Sequence, residues 1–280
     1  MSTSWQGRKE PTTGELLLVN WVFVFSRGFA IAFVVFGGLI LHFFLRIFEV
    51  IFLASQRSVT QYLTQVICRT SLFLLGIPLK VSGSPMIERG AVVANHSSWL
   101  DIFALNATQK IYFVAKSEVA NWPGIGWLAR ATGTVFIQRN ALQAGKQKVV
   151  ITERLQVGHK LLFFPEGTST DSLRVLPFKS SLFAAFFEVN VPQDLFIQPV
   201  TVIYHAPNGA NPWFYGWWGE MNFGAHLVHT LGSVKQGCIE LVFHKPRAIS
   251  NHGNRKKLAK LLEADVRNSH LFHGKFDEFD

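Results

Sequence analysis

The chain has 280 residues, of which 49% are apolar and only 16% are charged, and its formal net charge is +9 at pH 7. The apolar content excludes a largely disordered chain, and the share of charged residues is low for a soluble domain. A basic surface suits nucleic acid, anionic lipid or an anionic substrate. Because the sequence has no zinc-finger spacing, P-loop or RNA-binding signature, we expect no nucleic-acid partner and favour lipid.

A long apolar block near the N-terminus is interpreted as a membrane anchor. The first fifteen residues are polar and are expected to be loose, and the block then occupies residues 16–53. Residues 28–45 carry no formal charge, and as a helix they would be about 27 Å long, close to the hydrocarbon thickness of a bilayer. A cleaved signal peptide is disfavoured, because the block is long and no small-residue cleavage site follows it. A single span and a helical hairpin that dips into one leaflet both stay open.

From about residue 64, short runs rich in β-branched and aromatic residues alternate with helical patterns. The runs predict strands at residues 79–82, 91–94, 111–114, 134–138, 161–164, 196–204 and 239–244. Apolar spacing predicts a helix near residues 141–157, closed by Gly158, and another that begins after Asn254. Strands that alternate with helices indicate an α/β fold with a central mixed sheet flanked by helices.

The most informative segment has the sequence Asn-His-Ser-Ser-Trp-Leu-Asp at residues 95–101, directly after a predicted strand. An imidazole at a sheet edge can take a proton from a hydroxyl, and a carboxylate at its other ring nitrogen would fix its tautomer. Five residues of separation place two side chains about 140° apart on a helix. His96 must therefore lie before the helix and Asp101 in its first turn, with Ser98 as the N-cap. The alternative is that Ser98 and Asp101 form only a capping box.

A second segment, Pro-Glu-Gly-Thr-Ser-Thr at residues 165–170, follows the predicted strand 161–164. Alone it is typical of a Pro-Gly turn with an exposed glutamate. Together with residues 95–101 it resembles the glycerolipid acyltransferase family, in which a His-x4-Asp motif precedes a Phe-Pro-Glu-Gly-Thr motif. The runs at residues 113–118, 133–139 and 197–200 resemble further motifs of that family, in its order. The resemblance covers roughly residues 75–245.

The resemblance implies a role for each matching side chain. His96 would be the general base, and Asp101 would orient it. The residues implied in substrate binding are the cations Lys116 and Arg139 for an anionic headgroup, Glu166, Gly167 and Thr168 for the acceptor site, and Pro199 for the acyl-binding wall. We therefore divide the chain into an N-terminal membrane anchor (1–63), an acyltransferase catalytic domain (64–250) and a C-terminal helix and tail (251–280).

The activity implied by the resemblance is transfer of a fatty acyl group to the sn-2 hydroxyl of 1-acyl-sn-glycerol-3-phosphate, which makes phosphatidic acid. Ser169 stands where many members have arginine, and nearby segments resemble a bacterial branch that includes lyso-ornithine-lipid acyltransferases. Synthesis of ornithine lipid is therefore the alternative, and Arg174 or Lys179 would replace the missing charge. A noncatalytic lipid-binding membrane protein and a thioesterase are alternatives of other classes.

The donor implied is acyl-CoA or acyl carrier protein, and no cofactor beyond this donor is expected. We also expect no metal, because Cys68 and Cys238 lie far apart and neither belongs to a Cys-x-x-Cys pair. The expected partners are the lipid bilayer, a lysolipid acceptor and the acyl donor. The resemblance places the protein at a bacterial inner membrane, with the catalytic domain facing the cytoplasm.

Overall fold

The computed structural model describes residues 4–11, 17–52, 57–138, 144–188, 191–192 and 194–273. Its strands are β1 (Leu79–Ser82), β2 (Gly90–Ala94), β3 (Tyr112–Lys116), β4 (Val135–Ile137), β5 (Leu161–Phe163), β6 (Phe196–His205), β7 (Cys238–Phe243) and β8 (Arg247–Ala248). They form one sheet in the order β1-β7-β6-β2-β5-β3-β4, and β8 pairs with β6. The pairs β6–β7 and β6–β8 are antiparallel and the other pairs are parallel, so the predicted α/β fold with a central mixed sheet is confirmed.

The helices flank this sheet. They are α1 (Leu18–Phe52), α2 (Ser58–Leu75), α3 (Leu100–Thr108), α4 (Ile125–Ala131), α5 (Ala144–Gln156), α6 (Phe223–Gly232) and α7 (Arg255–His273). Every predicted strand is present, with ends that differ by at most two residues from the prediction. The predicted helices near 141–157 and after Asn254 correspond to α5 and α7, although residues 141–143 lie outside the described residues. The two-residue strand β8 was not predicted.

Strand β2 is the centre of the sheet, and its five residues are all buried. Val92 and Ala94 belong to one apolar cluster, whereas Ala91 and Val93 belong to the other. Successive side chains of a strand point to opposite faces, so β2 packs against helices on both sides. This burial explains why β2 has no polar residue until Asn95, where the chain leaves the sheet.

Helix α1 is a continuous apolar helix of 35 residues, and by length and composition it could cross a membrane. It packs antiparallel against α2, because Gly38 faces Ile67 and Arg27 lies beside Gly76. A side chain at residue 38 would collide with Ile67, so glycine permits the close approach of the two helices. The two helices form a hairpin, and its position relative to a bilayer stays a prediction.

One polar contact closes this hairpin, and another attaches it to the rest of the protein. The buried carboxylate of Glu49 accepts hydrogen bonds from the N–H groups of Val59 and Thr60, at 2.7 and 2.9 Å, and so caps the start of α2. The guanidinium of Arg27 donates to the carbonyls of Leu231 and Ser233 at the end of α6, where a cation is favoured. The apolar hairpin is thereby attached to the domain that carries the sheet.

The N-terminal strap, which we define as residues 4–11, is not loose. The Trp5 N–H donates to Thr168 Oγ1 at 3.2 Å, and Arg8 Nε lies 3.3 Å from the Asp171 carboxylate. The expectation of a loose segment was wrong for these residues, because their partners lie more than 160 positions away in the sequence. The predicted domain boundary at residue 63 falls inside α2, and the division into domains stays a prediction.

Candidate active site

Three of the predicted motif residues lie at the edge of the sheet where the parallel strands β2, β3 and β5 end. His96 lies two residues after β2, Glu166 lies three residues after β5, and Lys116 is the last residue of β3. Ligands of open α/β sheets bind at the carboxyl ends of the strands. The parallel topology therefore brings motifs that are 70 residues apart in the sequence to one place.

His96 and Asp101 form the pair that the sequence predicts. The Nδ1 atom of His96 lies 2.7 Å from Oδ2 of Asp101. Asp101 is fully buried, whereas the imidazole keeps 21% of its surface exposed and lines a cavity. A carboxylate that accepts the Nδ1 proton leaves the lone pair on Nε2. The imidazole is thus oriented to take a proton from a group in that cavity.

The Asp101 carboxylate also organises the chain between the two residues. Its Oδ2 accepts hydrogen bonds from the N–H groups of Ser97 and Ser98, at 2.9 and 3.1 Å. Helix α3 begins at Leu100 with Trp99 as the N-cap and without a side-chain capping bond, so the prediction of Ser98 as the N-cap was wrong. The reason is that the carboxylate in the first turn reaches back to the free N–H groups. Capping and orientation of the imidazole, which the sequence left as alternatives, are both present.

Tyr204 is a member of the site that the sequence did not reveal. Its hydroxyl donates to Oδ1 of Asp101 at 2.5 Å from the middle of the sheet. Burial and the adjacent carboxylate raise the pKa of Tyr204 well above its ordinary value, so the hydroxyl remains protonated and acts as a donor. A tyrosine in an apolar strand, 103 residues from its partner, carries no local signal of this role.

Glu166 supports the main chain of the site. Its carboxylate is only 1% exposed and accepts hydrogen bonds from the N–H groups of His96 and Leu176, both at 2.8 Å. Burial raises the pKa of Glu166 to about 8, although the two N–H donors oppose this effect. The next residue, Gly167, has a φ of 73°, a left-handed conformation that favours glycine. Glu166 therefore holds the backbone at His96 in place.

Three further contacts fix the loop that carries His96. The Phe164 ring stacks on the imidazole with ring centroids 4.0 Å apart and an interplanar angle of 11°. The Thr170 N–H donates to the His96 carbonyl at 3.0 Å, and the Trp217 N–H donates to the Ser97 carbonyl at 2.8 Å. The imidazole is packed against Phe164 and its loop is held by main-chain hydrogen bonds before a substrate arrives, as a preorganised site requires.

The cavity beside His96 is large and mostly apolar. Its volume is about 1160 Å³, larger than the roughly 300–1,000 Å³ of ordinary small-molecule sites. One part is lined by the helical hairpin and by α3, with residues that include Ile31, Val35, Phe36, Ile67, Cys68 and Phe103. A second part is lined by polar loops, with residues that include Ser4, Thr168, Ser169, Trp217 and Glu220, and a third part by residues that include Lys148, Ile151, Leu182 and Arg255. The shape and lining suit an amphiphile with a long apolar chain and a polar head.

The remaining predicted binding residues divide into three groups. Lys116, Gly167 and Thr168 line the cavity. Pro199 is buried in the centre of β6, in register with Val93, and is not among the described residues that line the cavity. Its predicted role in the acyl-binding wall therefore has no support in the geometry, because apolar helices form that wall. Arg139 lies outside the described residues.

The positions proposed to replace the missing arginine do not face the cavity. Ser169 lines it, but Arg174 binds the buried carboxylate of Asp171 through two nitrogens, at 3.0 and 2.9 Å. Neither Arg174 nor Lys179 is among the described residues that line the cavity. Within the described ranges, no three His, Cys, Asp or Glu side chains come together as a group that could hold a metal ion. The expectation of a site without metal stays a prediction.

Acid is expected to destabilise the protein through His226. This residue lies in α6, is 4% exposed, and accepts a hydrogen bond from the indole of Trp99, which lines the cavity. Burial, aided by His229, lowers the pKa of His226 to about 4. The unfolded chain therefore binds a proton below about pH 6.5 that the folded chain excludes until about pH 4, and stability falls as the pH falls through this window.

The expected size of this effect is about 2 kcal/mol between about pH 7 and about pH 5. His226→Asn keeps an oxygen acceptor for the indole and removes the titration. Thermal unfolding of the purified protein at both pH values should show a smaller loss for the variant than for the wild type. Equal losses in the two proteins would show that His226 is not excluded from protonation in the folded state.

Comparisons with known proteins agree with this geometry. A family model described as acyltransferase matches residues 79–203. The lyso-ornithine lipid O-acyltransferase of Rhodobacter capsulatus is 49% identical over 263 residues, which cover 94% of this chain and 95% of that protein. The 1-acyl-sn-glycerol-3-phosphate acyltransferase of Neisseria gonorrhoeae is 44% identical over 40% of this chain and 46% of its own length.

A solved structure has the same fold. The crystal structure of the 1-acyl-sn-glycerophosphate acyltransferase PlsC from Thermotoga maritima superimposes with a TM-score of 0.64 at 22% identity, over 91% of this chain and 96% of that chain. The fold, the arrangement of the motif residues and the relative that matches nearly the whole chain point to one family. The chain belongs to the glycerolipid acyltransferase family and is an acyltransferase.

Proposed function

We propose that this protein transfers a fatty acyl group from an acyl thioester to the free hydroxyl of a lyso-ornithine lipid, which makes ornithine lipid. The observation that carries the chemistry is the His96–Asp101 pair, which lines a cavity with an apolar part and a polar part. The relative that matches nearly the whole chain supports the choice of acceptor. A noncatalytic lipid-binding protein would not need an oriented imidazole beside a buried carboxylate.

The reaction needs one proton carrier. Nε2 of His96 takes the proton of the acceptor hydroxyl while the hydroxyl oxygen attacks the thioester carbonyl carbon, so the new C–O bond forms and negative charge moves to the carbonyl oxygen. The carbonyl double bond then re-forms as the C–S bond breaks, and the leaving thiolate takes the proton from Nε2. The buried Asp101 stabilises the imidazolium between these two steps. The products are an ester and a free thiol.

The segment after Gly167 favours an ornithine headgroup over a phosphate, although Lys116 gives the described cavity wall a cation. A phosphate monoester is close to a dianion at neutral pH, and arginine binds it through paired hydrogen bonds. Here Ser169 lines the cavity, and Arg174 is bound to Asp171 instead. The relative named for 1-acyl-sn-glycerol-3-phosphate matches less than half of the chain. That acceptor, the principal prediction from the motifs, becomes the second candidate.

The donor and the location complete the proposal. The donor is acyl-CoA or acyl carrier protein, and the chemistry requires no other cofactor. Helix α1 attaches the protein to a bacterial inner membrane, with the sheet domain in the cytoplasm, where acyl thioesters are made. Exposed phenylalanines along α1, such as Phe29 and Phe33, support burial of this helix in lipid. Anionic headgroups would attract the basic chain at roughly 1 kcal/mol per well-placed Lys or Arg.

The test compares acceptors with one enzyme preparation. The purified full chain is given a labelled acyl thioester and either lyso-ornithine lipid or lysophosphatidic acid, with His96→Ala as the blank. Transfer to lyso-ornithine lipid at a kcat/KM at least tenfold above that for lysophosphatidic acid supports the proposal. The reverse ratio would establish the second candidate. Release of free fatty acid without an acceptor would instead show a thioesterase.

Tyr204→Phe should lower kcat by about tenfold. The variant removes one hydrogen bond to a buried carboxylate, and a loss of about 1.4 kcal/mol of transition-state stabilisation corresponds to this factor. Tyr215→Phe is the matched control, since Tyr215 is also buried, packs against Tyr204 at 5.5 Å, and donates to Gln236 instead. Steady-state kinetics should show the loss in kcat for the first variant only. Equal losses would mean that packing, and not the bond to Asp101, matters.

A further inference from the structure

The N-terminal strap joins two loops that lie on the polar side of the cavity. One loop follows Glu166, and the strap reaches it through the Trp5 N–H bond to Thr168 Oγ1. The other loop carries Trp218, whose indole donates to the carbonyl of Arg8 at 3.1 Å and packs against the Trp5 ring at 6.2 Å. The strap therefore contacts two loops that are distant in the sequence and that also approach each other at Gly216 and Asp171.

A cluster of charged side chains also connects the strap to the loop that follows Glu166. Asp171 is fully buried, and it is bound by Arg174 from its own loop and by Arg8 from the strap. The Arg8 guanidinium also lies 4.2 Å from the centre of the Trp213 ring, and the Arg174 guanidinium lies 5.0 Å from that of Trp5. Hydrogen bonds between two charged groups are shorter and stronger than neutral ones. These contacts depend on the guanidinium groups of Arg8 and Arg174, which bind the carboxylate and also lie over tryptophan rings.

Both loops also hold the catalytic segment. The loop after Glu166 binds the carbonyl of His96 through the Thr170 N–H, and the tryptophan loop binds the carbonyl of Ser97 through the Trp217 N–H. Ser4 of the strap itself lines the cavity, together with residues of both loops. A shift of the strap would therefore move the polar wall of the cavity next to the imidazole.

We infer that the N-terminal strap is part of the acceptor site and positions the wall that contacts the lysolipid headgroup. This inference rests on the proposed function. In a lysolipid only a few bonds separate the reacting hydroxyl from the headgroup, so a hydroxyl at His96 places the headgroup against the nearby polar loops. The apolar helices on the other side of the cavity suit the acyl chain. Arg8 is a positioning residue here, because it acts through Asp171 and the loops.

The test uses Arg8→Ala in the full chain, with Lys9→Ala as the control. Both variants remove one cation from the strap, but Lys9 is exposed. Arg174 still binds Asp171 in Arg8→Ala, so the buried carboxylate keeps a partner and the fold is retained. We expect the KM for the lysolipid acceptor to rise roughly tenfold or more, since small misplacements at a reacting centre are costly. The KM for the acyl donor should stay within twofold of the wild-type value, and Arg8→Lys should restore part of the acceptor affinity.

Three outcomes would overturn the inference. Unchanged acceptor KM in Arg8→Ala, or an equal change in Lys9→Ala, would show that the strap does not shape the acceptor site. A lower melting temperature with both KM values unchanged would assign the strap a purely structural role. Binding of an acceptor analogue that lacks the reactive hydroxyl gives a second readout in which no chemistry occurs. If the wild type transfers no acyl group, the proposed function fails. If the wild type is active but Arg8→Ala binds the acceptor with unaltered affinity, only the inference about the strap fails.

Discussion

Replacing His96 with alanine should lower kcat for acyl transfer by about 10²–10⁴-fold, the range in which a positioned general base contributes. The imidazole is the group that the site orients most completely, through Asp101, the Phe164 ring and the N–H bond to Glu166. Truncation leaves Asp101 bound to backbone N–H groups and to Tyr204, so the buried carboxylate stays satisfied. The loss should therefore appear in the rate and not in the fold.

The control for this variant is His252→Ala, because His252 is not among the described residues that line the cavity. Steady-state rates with lyso-ornithine lipid, together with melting temperatures, separate chemistry from folding. The control should keep wild-type activity. Near-full activity of folded His96→Ala would mean that another group takes the proton, and the proposed mechanism would be wrong.

The sequence predicts much of the site because the fold is built from parallel strands. A run such as Ala-Val-Val-Ala at residues 91–94 is apolar on both faces, and its polar continuation marks the strand end. The carboxyl ends of parallel strands share one edge, which is why His96 and Glu166, each just after such a strand, lie next to each other. The spacing between His96 and Asp101 was sufficient to place one before the helix and the other in its first turn.

What the sequence does not show depends on contacts between distant segments. Tyr204 reaches Asp101 because β6 pairs with β2 in one register, and periodicity gives no information about register. The first fifteen residues were expected to be loose because they are polar, although Trp5 and Arg8 bind partners that are distant in the sequence. The role of Glu166 in the acceptor site stays a prediction, whereas the hydrogen bond from the N–H of His96 to its buried carboxylate was not foreseen. Each of these contacts joins residues that are distant in the sequence, so local sequence patterns do not predict it.

Asp101→Asn should be as damaging to kcat as the loss of the base, with a decrease of roughly 10³–10⁴-fold. The carboxylate accepts hydrogen bonds from His96 Nδ1, the N–H groups of Ser97 and Ser98, and the Tyr204 hydroxyl. An asparagine has one acceptor oxygen, and its amide donors would face some of these donors. The imidazole would then lose the partner that keeps its lone pair on Nε2, so fewer molecules would hold the competent tautomer.

This substitution should also lower the stability of the protein, in contrast to His96→Ala. Each buried donor left without an acceptor costs about 1–3 kcal/mol, and Asp101 is fully buried. Thermal unfolding should therefore rank Asp101→Asn below His96→Ala, although both variants have strongly reduced activity.

The double variant decides whether Asp101 acts through His96. If it does, Asp101→Asn should add no further loss of kcat to His96→Ala, because residues that act as a unit are not additive. The alternative outcome is that Asp101→Asn lowers kcat by the same factor in the His96→Ala background as in the wild type. This result would show that the carboxylate contributes independently of His96. The stability cost, in contrast, should persist in the double variant, since it comes from the N–H groups of Ser97 and Ser98 and the hydroxyl of Tyr204. Activity and stability thus report two distinct tasks of one carboxylate.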